Sequence, residues 1–345
     1  MQTHLLATAL TVALSTAGLA AQNRFVPDAD PTTGACNVIP FGTASSSTSW
    51  SNQRYQTMAL HADLSVPLNG KLNICDIGFA SCGVAGTPNI THFDRIIIRL
   101  GQTSATTLSA TFSANLVANV QTVLSASNYD WHHQGETWNR IGFERDYAYD
   151  QSLGRNLVLD ICVVGARKIA STTLGFHAAG RPRVFNAGWS GSCPDIGTVG
   201  NNSALKWVIN VDTWAINEFG LGCKGSNGVP QLKLVGSAEL GQTLGMVLDN
   251  APPNGSAFLA LGLGYYDGGF DLSILGAPGC RQYPLLNVLL GVPTNGGGQY
   301  ALKVPVPKDV NLICRRFYLQ FFPVDPPANP AGLTASNYAL ILPGL

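Results

Sequence analysis

The sequence predicts an all-β protein: two different antiparallel β-sandwich domains, jelly-roll or immunoglobulin-like, behind a signal peptide. Three observations predict it. Charged residues make up only 12% of the chain, about half the ~25% usual in soluble proteins. Glycine is abundant at 38 residues, and with Pro, Asn, Ser and Thr it favours short strands joined by tight turns. At 345 residues the chain also exceeds one ordinary core, since a domain takes roughly 100 to 200 residues.

Taken in order, residues 1–21 read as a signal peptide. The apolar run "LLATALTVALSTAGLA" ends in small residues suited to cleavage after Ala20 or Ala21, although only His4 stands where a basic n-region is usual. The run is shorter than the ~20 residues a membrane anchor needs. Residues 22–53 read as an extended Ser/Thr/Pro-rich lead-in. The N-terminal sandwich is expected over 54–215, with "KLNICDIGF", "RIIIRLG", "NLVLDICVV" and "ALKWVINVD" as strands that each turn one face to a core. "TTLSATFSANL" is the one place where a helical turn is expected. The segment 216–230 holds four glycines and a proline without alternation and reads as a linker. Beyond it, over 231–345, strands such as "QLKLVG", "SAFLALGLG" and "RRFYLQFFPV" recur between Pro- and Gly-rich loops, as in a second sandwich.

Twenty basic residues balance twenty acidic ones, and each half of the chain is itself balanced. Nucleic acid and anionic membrane are therefore poor partners, because neither half can displace phosphate counterions. No segment after the signal is apolar enough to span a bilayer. Eight cysteines in an exported chain favour disulfides. No C-x-x-C occurs, so zinc ribbons and thioredoxin-type chemistry lack their spacing. The pairs expected first are Cys75 with Cys82, closing a short loop, and Cys223 with Cys280.

Several stretches resemble a family of uncharacterised secreted bacterial two-domain β-sandwich proteins. One block is "FDRIIIRLGQT", "LSATFSANL" and "YDWHHQGETWNRIGF", followed by "NLVLDI"; the other is "GLGCKGSNGVPQL", "NAPPNGSAFLALG" and "GAPGC". The resemblance implies an exported protein with a C-terminal β-sandwich module. It brings no catalytic residues, and Cys314 departs from its second block.

The densest chemistry lies in "YDWHHQGETW", Tyr129 to Trp138. Successive strand residues face opposite ways, so His132 and His133 do not both reach one ion without a bulge. No metal site or cofactor is therefore assigned. A two-residue turn at Gln134-Gly135 sets His133 opposite Glu136, Trp131 opposite Trp138 and Tyr129 opposite Arg140. That register gathers Tyr129, Trp131, His133, Glu136, Trp138 and Arg140 on one face. The face is either core packing or a platform on which sugar rings stack. "GWSGS" around Ser190 lacks the strand and helix of a nucleophile elbow, and "YYDGGFD" offers too few oxygens for calcium. All six histidines precede the linker, which excludes a His-dependent site confined to the C-terminal domain.

The expected function is that of a non-catalytic binding or structural protein, secreted or held at the cell surface, with extracellular glycan or surface polymer as partner. The alternative is a secreted hydrolase with His92, His132, His133 and Glu136 at its site; no catalytic residue is assigned.

Overall fold

Alternating apolar residues become antiparallel ladders in the computed structural model, which describes residues 23–43, 48–64, 71–169, 175–200, 202–210, 214–309 and 312–344. The chain is all-β, built of sandwich-like antiparallel sheets, with no barrel closure among the described residues. The signal-peptide stretch 1–21 lies outside the described residues. Two compact units divide the chain, Ala21–Thr213 and Trp214–Leu345.

In the first unit the larger sheet runs, in hydrogen-bonded order, Thr198–Gly200, Arg183–Ala187, Gln53–Ala59, Asn156–Val164, Pro88–Thr103 and Ala118–Gln134. The sheet facing it runs Arg24–Val26, Trp207–Ile209, Lys71–Ala80 and Trp138–Asp150. A smaller sheet joins Ala204–Leu205, Phe176–Ala179 and Ala35–Asn37. Phe41, Phe79, Phe93, Trp131 and Phe176 are fully buried and meet ring to ring, as Phe41 does with Phe79 and Phe176 at 4.9 Å between centroids. Burying each such side chain stabilises the fold by about 1.5–3 kcal/mol.

Two expectations are corrected here. The lead-in 22–53 is not a separate arm: Arg24–Val26 pairs with Trp207–Ile209, Ala35–Asn37 pairs with Phe176–Ala179, and Phe41 enters the aromatic core. Its apolar residues are too sparse to show a period, yet each meets a sheet supplied from elsewhere. Asn156–Val164 is buried on both faces rather than one. Asp160, on its polar side, is held by Arg54 at 3.1 Å, Arg99 at 2.6 Å and the Gln56 amide at 2.8 Å. Those partners satisfy a carboxylate that burial would otherwise disfavour. The expected helical turn is present at Phe112–Asn115.

In the second unit one sheet orders Ala215–Phe219, Tyr338–Leu342, Phe317–Pro323, Ser256–Gly262 and Val288–Pro293. The other orders Gln231–Gly236, Thr243–Asp249 and Tyr300–Pro305. Leu232, Leu244, Met246, Leu259, Leu319 and Ile341 fill the space between them. Tyr265–Asp271 and Arg281–Pro284 form a separate two-stranded ribbon. The expected linker 216–230 begins instead inside a strand, because Ala215–Phe219 pairs along Tyr338–Leu342 and the Glu218 carboxylate accepts from Leu234 N–H at 2.7 Å.

Candidate functional site

The stretch Tyr129 to Trp138 is an arch between two sheets, not a hairpin within one. Ala118–Gln134 pairs with Pro88–Thr103, setting Trp131 beside Thr91 and His133 beside Asn89. Trp138–Asp150 pairs with Lys71–Ala80, setting Trp138 beside Ala80 and Arg140 beside Gly78. The expected register of 133 with 136, 131 with 138 and 129 with 140 is therefore absent. Each strand has its ladder filled by a distant partner, so the two need not pair with each other. Glu136 turns the chain at φ +57°, and a Cβ at Gly135 would run into Val84 O. Asn139 completes the arch: its Oδ1 accepts from Gln134 N–H at 2.6 Å, and its Nδ2 donates to the carbonyls of Gln134 and Thr137 at 2.8 and 2.9 Å.

The six candidate residues consequently separate. Tyr129 and Trp131 are fully buried. The Trp131 ring stacks on Phe176 at 5.1 Å with 8° between planes, and its indole N–H donates to Arg140 O at 2.9 Å. Burial pushes the Tyr129 phenol far above its usual range. Trp138 is half-buried against Phe25 at 5.3 Å, with its indole N–H 3.3 Å from Ala29 O. Arg140 and Asp76 form an ion pair at 2.6 Å, both side chains without solvent exposure. The platform of paired tryptophans does not form.

His133 lies inside the first unit, in a chain of hydrogen bonds whose direction follows from donor chemistry. Lys168 Nζ has only hydrogens to give and donates to Thr91 Oγ1 at 2.6 Å. Thr91 then offers its own hydrogen to His133 Nε2 at 2.9 Å. His133 Nδ1–H donates to Ser81 Oγ at 3.2 Å, and Ser81 donates to Cys82 O. The imidazole is neutral in this arrangement, and its pKa is pushed well below the usual value, first by burial and then by the nearby Lys168 and His132. Burial also lowers the Lys168 ammonium to about 7, while its Nζ lies 4.5 Å from the Phe176 ring centre.

The residues of the hydrolase alternative do not converge either. His132 points to the opposite face from His133 and is exposed. His92 lies between Asp130 at 2.6 Å and Asp94 at 3.3 Å, and Asp94 is held by Arg167 at 2.8 Å. Glu136 instead meets His177, Oε1 to Nε2 at 3.1 Å. Sequence reasoning did not single out Lys168, His177, Thr91 or Ser81, which no motif connects; Thr91 and His133 become neighbours only through the register of two long strands.

Cysteine pairing is also partly redrawn. Cys223 is bonded to Cys280. Cys82 is bonded to Cys36, so the Cys75–Cys82 loop is not formed, and Cys162 is bonded to Cys193. No described cysteine is free.

Two clefts open on the second unit. One, of about 400 Å³, is lined by Val247, Thr294, Asn295, Gln299, Tyr300 and Ala301. The other, of about 200 Å³, is almost wholly apolar and includes Phe258, Leu272, Leu275, Leu286, Leu289 and Phe322.

No protein-family model matches the chain, and no curated protein matches it. Among solved structures, a GH2 beta-galacturonidase from Eisenbergiella tayi bound to galacturonate aligns over 83% of this chain and 41% of its own length, at 7% identity and a TM-score of 0.13. At that score the alignment carries no argument about fold or function. No helix among the described residues is long and apolar enough to cross a membrane.

Proposed function

We propose that the chain is an exported, disulfide-supported binding protein of the cell surface or extracellular space, that it is non-catalytic, and that it recognises extracellular glycan or surface polymer. Bonding of all eight cysteines supports an oxidising, extracytoplasmic setting. Trp131 is buried, which argues against a stacking platform in the Tyr129–Trp138 stretch and in favour of a recognition surface on the second unit.

The observation that carries this reading is the cleft of about 400 Å³ around Tyr300. Its volume is within the ~300–1,000 Å³ of small-molecule sites, which combine apolar walls with a few placed polar groups. Tyr300 supplies a half-buried ring, set edge-on to Phe321 at 6.3 Å. Asn295 and Gln299 supply amides of fixed orientation: Asn295 Oδ1 accepts from the N–H groups of Gly297 and Gln299, each at 2.9 Å, and Gln299 Nε2 donates to Asp249 at 2.8 Å. An aromatic ring beside preset amides suits a sugar ring, which has an apolar face and a hydroxyl edge.

The test is glycan-array binding of the exported chain beside a Tyr300→Ala variant. Binding to at least one glycan class is expected, weakened about tenfold or more in the variant, the equivalent of ~1.4 kcal/mol. Binding by neither protein, or equal binding by both, overturns the reading.

A further inference from the structure

Beside the Cys36–Cys82 bridge the first unit gathers two further metal-ligating side chains. Cys36 stands opposite His177 in the ladder between Ala35–Asn37 and Phe176–Ala179. Cys82 is brought alongside by its N–H, which donates to Gly175 O at 3.0 Å. The ligand atoms of Cys36, Cys82 and His177 all lie within 4.8 Å of one another. His177 Nδ1 is 3.2 Å from Gly34 O; a carbonyl only accepts, so that nitrogen carries a hydrogen and Nε2 is the atom left for a metal. A backbone carbonyl accepting from the other ring N–H is a usual second partner of a metal-bound histidine. Nε2 points at Glu136 Oε1, 3.1 Å away, and the same oxygen accepts from Gly83 N–H at 3.2 Å. An imidazole nitrogen and a carboxylate, both metal-binding groups, thus face each other.

We propose that these residues form a zinc site when the bridge is open: Cys36, Cys82 and His177 bind the ion, and a water held by the Glu136 carboxylate takes the fourth position. Two thiolates, one imidazole and a water form a known zinc ligand set. The Cα atoms of Cys36 and Cys82 are 6.1 Å apart, so opening the bridge leaves both sulfurs anchored on neighbouring backbone. Cys82 and His177 are buried, whereas Cys36 is exposed and gives reductant and ion a way in. A phosphine and one water reduce the bridge: the S–S bond breaks, two thiols form and the phosphine leaves as its oxide. Zinc then displaces the two thiol protons. Reoxidation by a small-molecule disulfide moves both electrons to that disulfide, reforms the bridge and releases the ion.

The full chain, reduced with a phosphine under native conditions and freed of it, is titrated with Zn²⁺ against a chromophoric chelator, and with Co²⁺ for thiolate-to-metal absorption. One ion per reduced chain and none per oxidised chain is expected. Cys36→Ser and His177→Gln abolish uptake, Glu136→Gln weakens it about 10- to 100-fold, and a Cys162→Ser/Cys193→Ser variant keeps it. Circular dichroism checks that each variant folds; if Cys36→Ser does not, His177→Gln decides. No uptake by the reduced chain, or affinity in His177→Gln equal to that of the parent, overturns the site.

Discussion

In the first unit the polar and charged side chains go inward, while in the second it is apolar side chains that remain outside. The first unit buries Arg140 with Asp76, Asp160 with Arg54, and the Lys168–Thr91–His133–Ser81 chain. The second fills its core with aliphatic residues yet leaves Leu275, Leu286 and Leu289 more than half exposed around a cleft. The difference teaches that a dense run of chemistry-bearing residues is not by itself a site. In the first unit those residues brace two sheets against each other, and the two clefts described above lie in a unit that contains no histidine.

The comparison breaks first at the two tryptophans. Trp131→Ala is expected to destabilise the chain by about 3–5 kcal/mol, as for other buried aromatics, while Trp138→Ala costs about 1 kcal/mol or less because its site is half open. Equal losses in chemical denaturation would return the pair to one shared surface. Asp76→Asn removes the counter-charge from the buried Arg140, at a cost of about 3 kcal/mol or more; denaturation midpoints measure it, and a change within ~0.5 kcal/mol would show the ion pair not to be a brace.

A third test is the pH dependence of stability. Lys168, lowered to about 7, binds fewer protons folded than unfolded between pH 7 and its ordinary value near 10.5, so stability rises with pH across that window. His133 is likewise lowered by burial, so stability falls as pH drops below about 6.5. Each slope approaches ~1.4 kcal/mol per pH unit at most. Lys168→Met flattens the alkaline slope and His133→Gln the acid one; slopes unchanged in both variants would take the network out of the protonation balance. The smallest effect is expected at the apolar cleft of the second unit. Leu286→Asp alters stability by about 0.5 kcal/mol or less, yet lowers the fluorescence of an anilinonaphthalene sulfonate probe bound to the folded chain. Undiminished probe fluorescence would mean that this cleft does not take up apolar groups.

Much of the fold was legible because strand periodicity is local. "NLVLDICVV" and "SAFLALGLG" announce strands whatever they pair with, and Phe112–Asn115 was the expected helical turn. The arch was not legible. Alternation from Tyr129 to Trp138 places Tyr129, Trp131 and His133 on one face under either reading, since period 2 is the same for a hairpin and for a strand that leaves its sheet. What differs is the partner, and Pro88–Thr103 and Lys71–Ala80 are distant in the chain. The lead-in was misread for the same reason, as Phe41 gains its surroundings only from Phe79, Phe93, Trp131 and Phe176.

By itself the sequence determined the class of the molecule: β-structure from composition and alternation, and a formal charge of zero with both halves balanced. Tertiary structure alone decided which acids meet which bases, which cysteines meet, and whether Trp131 faces water. Those outcomes depend on contacts between residues far apart in sequence, and local spacing carries no information about them.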